Sequence, residues 1–258
     1  MSSQNRVCIH PGFKVARHEN IMKTTRLVLP ALLLSAFTVL AGGASEPIST
    51  MIVGGGSSHD FQRWFNQADA ETLRSVGGKV IYTENTAGLA EAIEKVDILY
   101  LSNNKPFEDQ ATKNAIFKHV ASGKGLLLVH PALWFNWKDW PEYNRDLCGG
   151  GARGHDRFGE FTVNTTQKDH PIMKNVPKSF PIGDELYYFV PDPKGPGIVT
   201  LASATSTRKQ KTYPSVFVVK HPKARIVGIT LGHDGLAHDH PAYKTILKNA
   251  FIWLSNQQ

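Results

Sequence analysis

Three histidines in this sequence each follow an apolar run of the kind that forms a buried strand. His59 comes after a first apolar run and three glycines, His130 directly follows the most apolar run, and His233 comes two residues after a late one. Imidazole exchanges protons near neutral pH and binds divalent metals. Because the carboxyl ends of parallel strands meet at one edge of a sheet, we expect these three side chains to converge there.

Carboxylates adjoin two of these histidines. His233 is followed by Asp234, and we predict that His233 acts as a general acid or base while Asp234 orients its ring, with His130 as a further catalytic residue. The other candidate residues are polar or aromatic, lie near predicted strand ends, and are expected to bind substrate: His59, Asp60, Asp184, Glu185, Asn103 and Trp134.

Structural roles compete with several of these assignments. Asp60 is also suited to cap a helix beginning near Phe61. Asp184 and Glu185 precede a predicted strand beginning with Leu186-Tyr187, where they could hold sugar hydroxyls, transfer protons or pair with a nearby arginine. The glycines before His59 match neither GxGxxG nor a P-loop, so a tight turn is favoured over a nucleotide site.

The metal content stays open on the sequence alone. Neither H-E-x-x-H nor C-x-x-C occurs, so no metal motif is specific. A divalent metal held by histidines and carboxylates from several strand ends is compatible with the pattern, without a defined ligand set.

The tryptophans and Cys148 each allow a structural or a functional interpretation. Trp134, Trp137 and Trp140 either fill the core or form a platform for the apolar face of a sugar. Cys148 stands in a glycine-rich stretch with no neighbouring base that would activate its thiol, so we do not predict a nucleophile there.

The basic charge of the chain is concentrated near its N-terminus. The net charge is +7, but residues 1–44 hold five of the 29 Lys and Arg and only one of the 22 acids. The rest is nearly balanced, which excludes the basic footprint of a nucleic-acid-binding protein. We therefore expect no nucleic-acid partner.

Residues 1–44 have the layout of an N-terminal extension followed by a signal peptide. We predict that translation starts at Met22. From there, two basic residues precede an apolar run of about 16 residues and then small residues. That run includes Pro30 and is shorter than the ~20 residues of a stable membrane span. The sequence predicts export to the periplasm or the extracellular space, with residues 45–258 as a single domain.

Alternating strand and helix patterns follow Pro47. They predict a doubly wound, flavodoxin-like α/β domain with a mostly parallel sheet covered on both faces. Residues 131–157 are expected to form a long functional loop, several extra strands follow in the second half, and a helix with Tyr243, Ile246 and Leu247 on one face closes the chain.

Five motifs together resemble the ThuA-like (trehalose utilisation) family. They are Gly54-Gly55-Gly56 with His59-Asp60, Gly125 to His130, Asp169-His170-Pro171-Ile172, Asp184-Glu185-Leu186-Tyr187 and Leu231-Gly232-His233-Asp234. The resemblance runs in order over nearly all of residues 50–257. It implies the fold of class I glutamine amidotransferases, and it implies a role in carbohydrate metabolism, particularly with 3-keto sugars.

The same resemblance argues against glutamine hydrolysis. In the amidotransferase fold a cysteine nucleophile follows a central strand, and the equivalent turn here carries His130 and Pro131. Without a thiol no thioester forms. We expect an exported enzyme acting on disaccharides, other glycosides or their 3-keto derivatives. A carbohydrate-binding module and an interaction domain stay as alternatives, and the oligomeric state, including a homo-oligomer, is open.

Overall fold

A nine-stranded mixed sheet is the centre of the computed structural model, which describes residues 46–134 and 140–255. Residues Ser45–Gln258 form one compact unit. The predicted signal peptide and Trp137 lie outside the described residues, so their predictions stay as such.

The strands and helices have the following bounds. The strands are β1 Ile48–Val53, β2 Gly78–Thr83, β3 Ile98–Leu101, β4 Gly125–Val129, β5 Gly150–His155, β6 Gly159–Thr165, β7 Ser179–Asp184, β8 Tyr187–Pro191, β9 Ile198–Ser206, β10 Lys211–Val219 and β11 Ile226–Ile229. The helices are α1 Ala70–Arg74, which continues the π-helical turns Gln62–Asp69, then α2 Ala90–Glu94, α3 Gln110–Ala121, α4 Gly235–His238 and α5 Pro241–Ser255. Shorter turns are the 3₁₀ segments His130–Leu133 and Pro171–Met173 and the π-helical segment Tyr143–Cys148.

The large sheet has a parallel half and an antiparallel half. Its order is β2-β1-β3-β4-β11-β10-β9-β6-β7, with parallel pairing from β2 to β11 and antiparallel pairing from β11 to β7. Strands β5 and β8 form a separate antiparallel pair. The predicted α/β class with extra strands in the second half is confirmed.

Helices cover both faces of the parallel half, which explains its uninterrupted apolar strands. In β4, Leu127 and Val129 face one core together with α5, while Leu126 and Leu128 face a second core with α3. All four side chains are fully buried. Each such burial stabilises the fold by about 1.5–3 kcal/mol.

The closing helix α5 packs one apolar face against the sheet, as its spacing predicts. Tyr243, Ile246, Leu247 and Phe251 are fully buried. Helix α5 therefore holds down the parallel strands whose ends carry the candidate site.

Residues 131–157 differ from the predicted long loop. The described residues of this range, 131–134 and 140–157, include a 3₁₀ turn, the π-helical segment and strand β5, and Tyr143, Leu147 and Cys148 are buried in the second core. The glycines and charges in this stretch suggested solvent exposure, but its apolar residues are spaced to pack under the sheet.

Strands β5 and β7 are also absent from the sequence prediction. The glycine-rich composition of β5 and the Pro181 within β7 hide them, because both residue types are uncommon in strands. As a result Glu185 lies in the link between β7 and β8 instead of at the start of a strand.

No helix within the described residues has the length and apolarity needed to cross a membrane. The four strand ends that carry the candidate chemistry belong to β1, β3, β4 and β11. These strands are adjacent and parallel, so their carboxyl ends lie along one edge.

Candidate functional site

The turn after β1 brings His59 over the edge of the sheet. Gly56 has a φ of +136°, and a Cβ there would collide with the Asn104 side-chain oxygen, so only glycine fits. Asn104, after β3, accepts a hydrogen bond from the Ser57 amide and donates one to the Ser57 carbonyl, both at 2.9 Å. This paired contact joins the ends of two strands and fixes the start of the His59 turn.

His130 sits at a strained backbone position directly after β4. Its φ of +41° is uncommon for a residue with a side chain, and such strain is concentrated at functional sites. The ring is fully buried, and its Nδ1 donates a 2.7 Å hydrogen bond to the Thr230 carbonyl on the neighbouring chain segment after β11. Tyr187 packs against the other side of the ring, 4.2 Å between centroids.

His233 is positioned by a buried carboxylate at the end of β7. Asp184 accepts hydrogen bonds from the amides of Gly232 (2.7 Å), His233 (3.2 Å) and Glu185 (2.7 Å). Burial raises the pKa of Asp184, and the three amide contacts act in the opposite direction. Asp184 therefore ties the turn after β11 to the link that carries Glu185.

The three imidazole rings meet as the sequence predicts. The ring centroid of His59 lies 5.1 Å from that of His130 and 4.8 Å from that of His233. One nitrogen of each ring faces the others, and these three nitrogens lie within 4.8 Å of one another. All three nitrogens are buried and lack a hydrogen-bond partner within the described part of the chain. They are donor atoms that a divalent transition metal binds.

Glu185 supplies the carboxylate nearest to this cluster. Its Oε2 lies 3.3 Å from His233 Nδ1 and 3.7 Å from His130 Nε2, and its Oε1 lies 3.4 Å from His155 Nδ1. Partial burial favours the neutral carboxyl, but the His130 and His233 rings outweigh it and lower the pKa of Glu185 below its usual range. Glu185 is therefore a carboxylate at neutral pH.

The pKa values of His233 and His59 are shifted in opposite directions by this environment. The interaction with Glu185 raises the pKa of His233 against the effect of burial. Burial lowers the pKa of His59 to about 3, with a smaller contribution from nearby His130. Neighbouring groups with pKa values displaced in opposite directions are typical of acid–base sites.

An open cleft of about 240 Å³ gives access to the cluster. Its walls come from the turns after β1, β3 and β11, the segment after β4, the β7–β8 link and the paired strands β5 and β8. The lining residues are Ser57, Ser58, His59, Asn104, Trp134, His155, Glu185, Tyr187 and His233. A larger cavity of about 840 Å³ lies on the antiparallel half and lacks the histidine cluster. We place the candidate chemistry in the smaller cleft because the perturbed groups are there.

The structure assigns other contacts to four predicted residues. Asp60 accepts the Arg63 amide (3.0 Å) as a helix cap, and Asp234 accepts the Leu236 amide (2.9 Å) at the start of α4. The carboxylate beside the His233 ring is thus Glu185, not the adjacent Asp234. Asp184 and Asn103 are fully buried, so Asp184 acts through the backbone it holds, and the asparagine that lines the cleft is the partly exposed Asn104.

His155 and Tyr187 also line the cleft, although no role for them is predicted from the sequence. His155 ends β5, and its Nδ1 donates to the Asp156 carbonyl at 2.7 Å. The β5–β8 pairing sets His155 opposite Tyr187. A strand made of Gly150 to His155 offers little strand signal, so only the pairing places His155 here.

Comparison with solved structures shows the class of fold. A ThuA-like protein from Parabacteroides merdae superposes with a TM-score of 0.71 at 22% identity, covering 81% of this chain and 90% of that one. A ThuA-like protein from Bacteroides uniformis gives 0.69 at 20% identity over 83% and 94%. The glutaminase domain of Trypanosoma brucei CTPS gives 0.51 at 11% identity over 82% and 95%. The fold is thus that of the class I glutamine amidotransferases.

Sequence comparison narrows this class to one family. Residues 49–254 match the family described as ThuA, trehalose utilisation. The chain belongs to the ThuA family, as its five motifs predict. No curated protein matches it significantly in sequence.

Proposed function

We propose that this chain is an exported enzyme that acts on the 3-keto derivatives of disaccharides and other glycosides. The observation that carries the proposal is the meeting of the Glu185 carboxyl group with three histidines in one cleft. Membership of the trehalose utilisation family supports a sugar substrate. The 240 Å³ cleft suits one sugar ring, with the second glycosyl unit toward its open side.

A carbonyl at C3 of a glycoside makes this arrangement of groups useful. The carbonyl acidifies the proton at C2, and a positioned carboxylate is a suitable base for that proton. Glu185 takes the C2 proton, and the electron pair moves onto the C3 carbonyl oxygen, which the histidine cluster stabilises. When the enolate collapses, its electron pair forms the C1–C2 double bond and the C1–O bond to the glycosidic oxygen breaks. Glu185 gives the proton that it took from C2 to this departing oxygen.

Turnover measured by NMR tests this proposal on the full chain. We would compare disaccharides with their 3-keto forms, using the wild type, Glu185→Gln, His233→Ala and the control Glu91→Gln, an exposed carboxylate paired with Lys95 on α2. We expect the first two variants to lose about 10²–10⁴-fold in turnover and the control to lose none. Full turnover in both site variants would overturn the assignment of the site.

A binding module is the second candidate function. Trp134 and Tyr187 line the cleft with ring centroids 5.3 Å apart, which favours contact with a sugar face. Saturable line broadening without product would support this function, and neither binding nor product would reject the carbohydrate proposal.

Export rests on the N-terminal pattern and is proposed separately. Expression in a bacterial host, followed by N-terminal sequencing of the periplasmic product, tests it. We expect cleavage near Ala44, and recovery of an uncleaved chain from the cytoplasm would contradict export.

A further inference from the structure

We propose that His59, His130 and His233 bind one divalent transition-metal ion. Their facing nitrogens, His59 Nε2, His130 Nε2 and His233 Nδ1, are buried, make no hydrogen bond within the described residues and lie within 4.8 Å of one another. The Glu185 carboxylate approaches two of them, at 3.3 Å from His233 and 3.7 Å from His130. Buried polar atoms are normally hydrogen-bonded, so three buried nitrogens that face one another without a hydrogen bond require an explanation. One shared cation satisfies all three at once.

The contacts on the far side of two rings prepare the facing nitrogens as metal ligands. His59 Nδ1 lies 3.0 Å from the Ser57 carbonyl, and His130 Nδ1 lies 2.7 Å from the Thr230 carbonyl. A carbonyl only accepts hydrogen bonds, so the proton of each neutral ring is on Nδ1 and the lone pair is on Nε2. Metal-binding histidines have this outer contact almost always, because it fixes both the tautomer and the ring orientation.

The rigidity of the three supports favours a defined metal geometry. His130 is fully buried at a strained backbone position, Asp184 fixes the His233 turn, and Asn104 fixes the turn that carries His59. In a tetrahedral site with metal–nitrogen bonds of about 2.1 Å, ligand nitrogens are about 3.4 Å apart. The three nitrogens lie within 4.8 Å of one another, so metal binding would require side-chain rotation to close the remaining gap to that distance.

The surroundings of the cluster favour a transition metal over Mg²⁺ or Ca²⁺. Three imidazole nitrogens suit zinc and its neighbours, whereas the hard cations take oxygen ligands. Glu185 lies beside the three histidines and would add a negative charge next to the ion. Three histidines would leave a fourth position for water or substrate, as in catalytic zinc sites, and His59 and His233 both line the cleft.

A bound ion would add to the proposed function. Its role toward the substrate rests on that function, but the metal site itself does not. A sugar carbonyl bound at the fourth position would be polarised by the ion. Glu185 stays available as the base. Metal binding itself is measured without any sugar, so the two proposals are tested separately.

Titration of the untagged, EDTA-treated full chain with Zn²⁺ alone, followed by calorimetry, tests the site. Co²⁺ serves as a second probe, because its visible absorption reports tetrahedral nitrogen coordination. We expect one ion per chain at this site and a loss of at least about tenfold in affinity in His59→Ala and in His233→Ala. Mg²⁺ is expected to give no signal.

His155→Ala is the matched control. His155 lines the same cleft and lies 3.4 Å from Glu185, but it is not one of the three converging rings. We expect it to bind Zn²⁺ like the wild type. Circular dichroism and thermal unfolding in EDTA verify that every variant is folded, and Zn²⁺ should raise the Tm of the wild type and of His155→Ala only.

Several outcomes would overturn the metal site. These are no Zn²⁺ binding by the folded wild type, equal affinity in the wild type and both ligand variants, or an equal loss in His155→Ala. Zn²⁺ binding without turnover of any keto sugar would reject the proposed reaction and keep the metal site. Turnover that survives EDTA in a chain that binds no Zn²⁺ would reject the metal and keep the reaction.

Discussion

Asp69 and His238 form a buried ion pair beneath the turn after β11. His238 Nδ1 lies 2.8 Å from Asp69 Oδ1, and both side chains are at most 1% exposed. The other ring nitrogen donates to the Gly232 carbonyl at 3.0 Å. Both nitrogens face acceptors, so the ring holds two protons and a positive charge. Asp69 also accepts hydrogen bonds from Tyr100 and Tyr243.

Removing the charge of Asp69 should therefore destabilise the whole domain. In Asp69→Asn the buried imidazolium loses its counter-charge, and we expect a loss of about 3–5 kcal/mol in the free energy of unfolding. Urea unfolding measures this. The control Asp239→Asn removes an exposed partner of Lys244 and should cost less than about 1 kcal/mol. Similar losses in both variants would contradict a charged pair.

The same pair predicts how stability depends on pH. Burial lowers the pKa of His238, but the Asp69 charge and hydrogen bond outweigh burial, and the pKa is raised above 6.5. Because the pKa of His238 is raised, the protonated ring stabilises the fold fully below pH 6.5. This contribution is lost as the pH rises through the raised pKa. In EDTA, we expect the wild type to lose stability over this range and His238→Gln to lose less. Parallel pH curves would argue against the pair as the cause.

Asp184 should be required to hold the site together. In Asp184→Asn an amide group replaces one oxygen, so at least one of the Gly232, His233 or Glu185 amides loses its acceptor. We expect a loss of about 1–3 kcal/mol in stability together with reduced turnover. Asp60→Asn is the control, because asparagine caps a helix about as well as aspartate. An unchanged Tm in Asp184→Asn would show that the three contacts are dispensable.

Trp134 and Trp140 should behave differently although the sequence presents them alike. Trp134 is partly exposed in the cleft, so Trp134→Ala should raise KM severalfold with stability changed by less than about 1 kcal/mol. Trp140 is 7% exposed in the second core, so Trp140→Ala should cost about 3–5 kcal/mol. Steady-state kinetics and urea unfolding separate the two. Equal effects on both measurements would reject the distinction.

The thiol of Cys148 should be inert in the folded protein. Cys148 is fully buried, and burial raises the pKa of its thiol well above the usual range. In a Cys8→Ser chain we expect Ellman's reagent to react slowly without denaturant and stoichiometrically in 6 M guanidinium. Rapid native labelling would reopen a nucleophilic role for Cys148.

Hydrophobic pattern alone was sufficient to predict the parallel half of the sheet. The alternating strands and helices after Pro47 are present, beginning with β1 at Ile48–Val53, and α5 packs on the face that its spacing predicts. These elements are buried on predictable faces, so their apolar periodicity is strong. Strands β5 and β7 were missed because glycine and proline weaken the same signal, and only pairing with β8 and β6 makes them strands.

The residues of the candidate site also fall into two groups, those that the sequence predicts and those that only the structure places there. Parallel order alone requires the ends of β1, β4 and β11 to share an edge, so the convergence of His59, His130 and His233 follows from the sequence. The carboxylate partner of His233 does not follow from the sequence, because Glu185 lies in the β7–β8 link, which leaves the sheet at its other edge strand.

The sequence by itself determined the α/β class, the ThuA family and the three histidines of the site, because short-range apolar periodicity and strand-end position are local properties of the chain. Tertiary structure alone decided that Glu185 faces the cluster while Asp234 caps a helix, that Asp184 holds the His233 turn, and that one nitrogen of each ring makes no hydrogen bond within the described residues. These contacts join residues that are distant in sequence, and their geometry depends on how the antiparallel half packs beside the parallel one.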